Sequence, residues 1–220
     1  MKYKCLVLDH DDTVVNSTAT IHFPSFLAYL EKVRPDRHYT LEEYFRKNFD
    51  PGVVQLFTGE LGFTSAEMEE EFRFWQACVR ERVPKAYDGI REILRRHRSQ
   101  GGIIAVISHS VSAMIERDYR ENDLPLPDAI YGWDYPEHQR KPNPWPMEQL
   151  MERFGLQPQE LLMVDDLKPG YDMCRACSVP FAAAGWANDV PEIEAFMRRN
   201  CDFYFKTVAQ LDAFLSENNR

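Results

Sequence analysis

The sequence predicts an α/β fold, a parallel sheet covered by helices on both faces and interrupted once by an all-helical insertion. Three observations carry that prediction. Short apolar runs recur along the chain, among them Cys5-Leu6-Val7-Leu8, Ile103-Ile104-Ala105-Val106-Ile107 and Leu161-Leu162-Met163-Val164. They are near-continuous rather than alternating, as expected of strands buried on both faces of a parallel sheet. Segments with helical spacing separate them, so strand and helix alternate, with right-handed crossovers. From residue 16 to 85, by contrast, only helical patterns occur. The length of 220 residues, set against roughly 150 per domain, gives about 1.5 domains.

The first strand runs through Tyr3 and Cys5 to Leu8 and ends at Asp9. In the insertion, helices are broken at Pro35, Pro51 and Gly59. The longest is capped by Thr64-Ser65-Ala66-Glu67 and continues past Phe72, Trp75 and Val79, a stripe read as core packing. After Asp88, Ile90, Ile93, Leu94 and His97 have helical spacing, and Gly101-Gly102 stop that helix. The second strand, 103–107, ends at Ser108. A helix over residues 111–122 and a strand at Ala129-Ile130-Tyr131 follow. A helix through Met147, Leu150, Met151 and Phe154 leads to the strand that ends at Asp165-Asp166. A helix around 171–177 and the strand Phe181-Ala182-Ala183-Ala184 come next. Asp189-Val190-Pro191-Glu192 and Thr207-Val208-Ala209-Gln210 are capping-box-like helix starts, with a short sixth strand at Asp202-Phe203-Tyr204-Phe205 between them.

Composition narrows the function without naming it. Thirty-five acids against 26 Lys and Arg give a net charge of −9, a field that repels phosphate backbones and anionic lipid. Nucleic-acid and membrane-surface binding are therefore not expected. An acidic chain can still handle a small anion at a local positive site. No apolar run approaches the roughly 18 residues of a spanning helix, and the N-terminal run is too short for a signal-peptide core. Five scattered cysteines suit reduced thiols and a cytoplasmic location.

The chemistry-bearing residues fall at strand C-termini, where open parallel sheets place their ligands. Asp9-His10-Asp11-Asp12-Thr13 sets carboxylates at i and i+2 just past a buried strand. Such a pair holds a divalent cation through oxygen, or divides into nucleophile and proton donor. The alternative is a solvated acidic turn. Ser108, followed by His109 and Ser110, offers a hydroxyl and amides to phosphate, or serves as a helix cap. Lys141-Pro142-Asn143-Pro144 holds a cation in a proline-stiffened loop, or is a plain helix lead-in. Asp165-Asp166 at the end of a buried strand requires compensation by a cation or a lysine.

Together these segments resemble the haloacid dehalogenase-like hydrolase superfamily, of the phosphatase type with a helical cap inserted after the first strand. Asp9-His10-Asp11-Asp12-Thr13 resembles its Asp-x-Asp-x-Thr loop, Ser108 its strand-two Ser/Thr, and Lys141-Pro142-Asn143-Pro144 its Lys-Pro-x-Pro segment. Val164-Asp165-Asp166-Leu167-Lys168-Pro169-Gly170 resembles its acidic loop. The resemblance covers residues 1–15 and 86–190; the cap is matched by position and helical character alone. It implies a Rossmann-like core of residues 1–15 and 86–220 and a helical cap of residues 16–85.

The resemblance further implies a Mg²⁺-dependent phosphatase acting on a small soluble phosphomonoester. Asp9 would be the nucleophile that forms an aspartyl-phosphate, and Asp11 the acid and base. Ser108 and Lys141 would hold the phosphoryl group. Asp9, the main-chain carbonyl of Asp11, and Asp166 would hold Mg²⁺, with Asp165 a direct or indirect ligand. Asp11 argues against carbon–halogen cleavage, since true dehalogenases lack that second aspartate. Two alternatives stay open: a phosphomutase of the β-phosphoglucomutase type, and a non-enzymatic regulatory protein that binds phosphate and Mg²⁺. The cap histidine that such mutases use has no match in register, His22 lying one residue too far along. The partner expected is a small phosphorylated molecule, while oligomeric state is left open.

Some features sit outside the motifs. His10, where the family has an apolar residue, is expected to point to the cap and touch the leaving group, or else to be a packed imidazole; His109 is a weaker candidate of the same kind. Cys174 and Cys177 are expected to be packing thiols on a helix. Trp133, Tyr135, Trp145 and Trp186 are expected to pack loops, and Arg140 to be solvated beside Lys141.

Overall fold

The computed structural model describes residues 1–218. The chain enters through strand β1 (Cys5–Leu8), followed by a short strand β2 (Val15–Asn16). The insertion comprises a π-helical turn Thr18–His22, α1 (Phe23–Val33), α2 (Leu41–Phe49), α3 (Val53–Gln55) running into a second π-helical turn Leu56–Glu60, and α4 (Ser65–Glu81). The chain returns through β3 (Lys85–Ala86) to α5 (Ile90–Ser99), β4 (Ile103–Ile107), α6 (Ser112–Glu121) and β5 (Ala129–Tyr131). Then come α7 (Trp145–Phe154), β6 (Leu161–Asp165), α8 (Lys168–Cys177), β7 (Phe181–Ala184), α9 (Pro191–Asn200), β8 (Phe203–Phe205) and α10 (Val208–Asn218).

The main sheet has six strands in the order β5-β4-β1-β6-β7-β8, every neighbouring pair parallel. The continuous apolar runs follow from strand periodicity with helices on both sides. Leu6, Leu8, Ile104, Val106, Leu162 and Val164 join one buried cluster. Their alternates Cys5, Val7, Ala105, Ile107, Leu161 and Met163 join the other. Truncating Leu162, fully buried, to alanine costs about 2–5 kcal/mol. Strand order departs in both directions from β1, so the ends of β1, β4 and β6 flank the crevice where such sheets bind ligands.

The insertion has its own aromatic core of Phe26, Tyr29, Leu30, Tyr44, Leu56, Phe57, Leu61 and Phe63. It also reaches the sheet-bearing part. Phe45 and Phe49 pack in a sheet-face cluster, and Phe49 meets Phe196 of α9 edge-on at 5.3 Å. β2 and β3 pair antiparallel where the chain leaves and re-enters the sheet region, a ribbon too short to show in the hydropathy pattern. The Thr64–Glu67 capping box forms as expected, and Thr207 and Gln210 bond reciprocally.

Two local expectations differ. The N-cap of α9 is Val190 and no side chain caps it, because Asp189 is drawn outward to Lys206, 2.6 Å away. Gly59 lies inside the second π-helical turn and does not break it. No helix among the described residues is long and apolar enough to cross a membrane.

Candidate active site

The loop after β1 is shaped by the main chain before any side chain acts. Asp9 N–H donates to Val164 of β6 at 2.9 Å, and the amides of Val14 and Val15 both return to the His10 carbonyl. The loop turns at Asp12, whose φ of 59° lies in the left-handed region that aspartate tolerates better than most residues. The Thr18 amide donates to the Asp12 carboxylate at 3.1 Å, tying the turn to the start of the insertion. Glycine is required at position 170, since a Cβ there would lie 2.0 Å from Asp165 Oδ2. α8 therefore begins directly against that carboxylate.

Lys141 organises the buried charges. Its Nζ donates to Asp9 Oδ1 and Asp165 Oδ2, each at 2.7 Å, and all three side chains are buried. Burial disfavours the ammonium, but Asp165 and Asp9 outweigh it and raise the lysine's pKa. A single ammonium is too little for this cluster. Burial pushes Asp165 up to about 7 against the pull of Lys141. Asp12 also stands near 7, again through burial, only partly offset by its bonds to Thr18. Asp166 is raised further, by burial and by Asp12, Asp165 and Asp9.

Asp9, Asp165 and Asp166 each offer an oxygen within 4.8 Å of the others. This all-oxygen, charge-rich set suits a hard divalent cation such as Mg²⁺. The three do not offer themselves equally. Both oxygens of Asp165 are engaged, Oδ2 by Lys141 and Oδ1 by the Leu167 amide at 2.8 Å. Asp166 receives only the Thr13 hydroxyl at 3.4 Å. Asp9 and Asp166 therefore fit a cation best, and Asp165 fits the part of holding Lys141.

The Asp11 carboxylate faces elsewhere. Its Oδ1 accepts from Ser17 Oγ at 2.7 Å and from His22 Nε2 at 2.9 Å, and its Oδ2 from Ser110 Oγ. Burial would raise its pKa, but the charge and hydrogen bond of His22, with help from His10 and Ser110, hold it well below the usual carboxylate range. Trp75 of α4 donates its indole N–H to His22 Nδ1 at 2.9 Å. An indole only donates, so the proton on a neutral ring sits on Nε2, toward Asp11. Sequence register pointed away from His22, yet the π-helical turn Thr18–His22 brings it to Asp11. Ser17, Ser110 and Trp75 carried no sequence signal of their own.

A cavity of about 390 Å³ opens over these residues, lined among others by Asp9, Asp11, Ser108, His109, Lys141 and Asp166. His109 donates to the Lys141 carbonyl at 2.8 Å, and burial with the Lys141 charge pushes its pKa down to about 4. His10 does not line the cavity. It turns inward, 1% exposed, with Nε2 3.0 Å from Asp118 Oδ2 and its ring stacked on Tyr119. The expectation that it meets a leaving group is corrected, and the packed imidazole is what is found. α6 offers it a buried carboxylate.

Other expectations also shift. Phe72 and Trp75 line the cavity, although the Val79 end of their stripe is buried. Trp133 lines it as well, with Arg140 stacked 4.1 Å over its indole rather than solvated. Tyr135, Trp145 and Trp186 pack against the sheet clusters as expected. Cys174 is buried, and neither it nor Cys177 is disulfide-bonded.

Comparison with known proteins bears on this geometry. A family model described as "Haloacid dehalogenase-like hydrolase" matches residues 6–184. The chain is 23% identical to "Pyrophosphatase PpaX" of Bacillus cereus (strain AH820), over 100% of both chains. It is 24% identical to "Phosphoglycolate phosphatase" of Haemophilus influenzae (strain 86-028NP), over 96% of this chain and 97% of that one. Among solved structures, a HAD family hydrolase from Deinococcus radiodurans R1 with bound phosphate and sodium superposes with a TM-score of 0.73 at 20% identity. The match covers 99% of this chain and 97% of that one, a likeness of fold.

Proposed function

The chain belongs to the haloacid dehalogenase-like hydrolase family, and from that premise we propose that it is a Mg²⁺-dependent phosphatase hydrolysing a small soluble phosphomonoester through an aspartyl-phosphate on Asp9. The observation that carries this reading is Lys141 bridging Asp9 and Asp165 at 2.7 Å each, beside a cavity. A lysine so held keeps one Asp9 oxygen fixed and leaves the other to attack. Asp9, Asp166 and the Asp11 carbonyl would hold Mg²⁺, whose charge supplies neutralisation of the phosphoryl oxygens.

In the first half-reaction Asp9 attacks phosphorus, the ester P–O bond breaks, and the leaving oxygen takes a proton from Asp11. His22 donates its Nε2–H to Asp11 and so orients that carboxyl. In the second, water attacks the aspartyl-phosphate and gives a proton to Asp11. The Asp9–phosphorus bond breaks, and inorganic phosphate leaves. Ser108 and Lys141 hold the phosphoryl oxygens, His109 buttresses the Lys141 loop, and Asp165 keeps Lys141 in place. Residues 16–85 act as a cap over a core of residues 1–15 and 86–220, and closure excludes water. Relatives named as phosphatases and a pyrophosphatase support phosphate chemistry. Five free cysteines favour a cytoplasmic setting, and the −9 charge disfavours nucleic acid.

The His22–Asp11 bond favours a second reading, the phosphomutase. A mutase must also hold the second phosphate of a bisphosphate. Lys141 is the one Lys or Arg lining the cavity among the described residues, so the phosphatase is preferred. Release of inorganic phosphate from a metabolite ester panel, with Mg²⁺ and with EDTA, tests the choice. The phosphatase reading expects Mg²⁺-dependent free phosphate; isomerised sugar phosphate without phosphate release would favour the mutase. Stable phosphorylation of Asp9 without turnover would favour a regulatory protein.

A further inference from the structure

One part of the cavity wall is aromatic. Tyr44, Phe57, Phe72, Trp75 and Trp133 all line it, with Phe72 stacked on Trp75 at 5.6 Å and tilted against Trp133 at 6.3 Å. In this wall sits Glu71, 9% exposed. Among the described residues its carboxylate makes no hydrogen bond and no ion pair. A largely buried carboxyl that no protein group satisfies is costly, and this one opens on the cavity, where a ligand group can satisfy it. Burial pushes its pKa up to about 7, with His22 pulling it down only in part.

The charges around Glu71 decide what that ligand group is. Glu69 lines the same cavity, while His22 is already held by Asp11, and Lys141 by Asp9 and Asp165. A carboxylate or second phosphate on the leaving group would meet acids and no free cation. A cationic nitrogen would meet the opposite: a carboxylate to pair with and aromatic faces that attract cations. We propose that the substrate is the phosphate monoester of an amino alcohol, whose cationic nitrogen is bound by Glu71 within the aromatic wall. This rests on the phosphatase reading above. Water cleaves the ester P–O bond through Asp9, the amino alcohol leaves with a proton on its oxygen, and phosphate is released. The assignment differs from the anionic substrates that the relatives' names carry.

The test uses the purified chain with Mg²⁺ and five esters. These are ethanolamine phosphate with its neutral counterpart propyl phosphate, choline phosphate with its neutral isostere 3,3-dimethylbutyl phosphate, and phosphoglycolate. The expected result is a kcat/KM for at least one cationic ester about tenfold or more above its neutral partner, and above phosphoglycolate. In Glu71→Gln, which keeps shape and loses charge, the cationic-to-neutral ratio falls to about unity. Neutral esters hydrolysed as well as the cationic ones, or phosphoglycolate preferred, would overturn the inference and leave the phosphatase reading standing. An undiminished ratio in Glu71→Gln would do the same. Hydrolysis of none of the five would overturn the inference, and the metabolite ester panel would then decide the phosphatase reading. The wild-type comparison decides the matter even if the variant folds poorly.

Discussion

His22 Nε2 stands 2.9 Å from Asp11 Oδ1, with the Trp75 indole donating to the other ring nitrogen at 2.9 Å. This arrangement is central to the ionisation of Asp11. Burial raises the carboxyl, and the charge and hydrogen bond of His22, together with His10 and Ser110, lower it by more. Replacing His22 with Asn removes its share of the lowering and keeps the burial, so Asp11 moves up. Below its pKa Asp11 cannot take a proton from water. The acid limb of the kcat–pH profile is therefore expected to shift to higher pH by about one unit or more. The rate at neutral pH should fall about 10–100-fold. A pH–rate profile of His22→Asn with an unmoved acid limb would contradict this.

Lys141 compensates Asp9 and Asp165, both almost fully buried. Lys141→Met is expected to cost about 3–5 kcal/mol, the price of leaving buried charge unpaired. The loss depends on pH in a defined sense. Asp165 in the folded state titrates near 7 even with Lys141 pulling it down; without the lysine it moves higher still, so the folded variant keeps a proton that the unfolded chain loses, and its stability falls as pH rises. Urea denaturation in EDTA should show a larger loss at pH 8 than at pH 5.

Arg117 ties α6 to the end of α4. Its guanidinium bonds Asp118 Oδ1 at 2.6 and 2.8 Å and the carbonyls of Val79, Arg80 and Arg82 at 2.9, 3.2 and 3.1 Å. The other Asp118 oxygen holds His10, so one buried carboxylate joins the nucleophile loop to the exit of the insertion. Arg117→Ala leaves Asp118 half-compensated and frees carbonyls at a helix C-terminus. The expected loss is about 2–4 kcal/mol, with KM rising more than kcat falls because α4 is less firmly placed. Hydrogen exchange should quicken first at the end of α4.

Glu71 makes the reverse prediction for stability. Its pKa near 7 in the folded state exceeds the ordinary 4.5. Between those values the unfolded chain is ionised and the folded one is not, so stability falls as pH rises and the full cost is present above 7. Glu71→Gln removes that cost. Its melting temperature should exceed wild type at pH 8, by up to about 3 kcal/mol of stability, and match it near pH 4.5. Equal melting temperatures at pH 8 would show the carboxylate to be satisfied.

The sheet and the residues at its strand ends were legible because each rests on local pattern. Leu6 and Val7 are both apolar since opposite faces of β1 are both covered, and Asp9, Ser108 and Asp165 stand where those apolar runs stop. The cavity wall was not legible. Phe72, Trp75 and Val79 share one helical spacing whether a stripe meets a core or a ligand, and only the approach of α4 to Trp133 separates the cases. His10 stayed between two readings for a related reason. Its direction depends on Asp118, 108 residues away, and no local pattern reports such a partner. His22 was discounted on register, which a π-helical turn displaces.

Asp9 carries the central claim, and phosphate release by Asp9→Asn tests it most directly. The ester should be one that the wild type turns over with Mg²⁺, and circular dichroism and thermal melting should establish that the variant is folded. The account predicts a folded variant with turnover reduced by a factor of about 10³ or more. It also predicts that acid-quenched wild type, and not the variant, carries a phosphoryl group on the peptide containing Asp9. Substantial turnover by folded Asp9→Asn would contradict the mechanism.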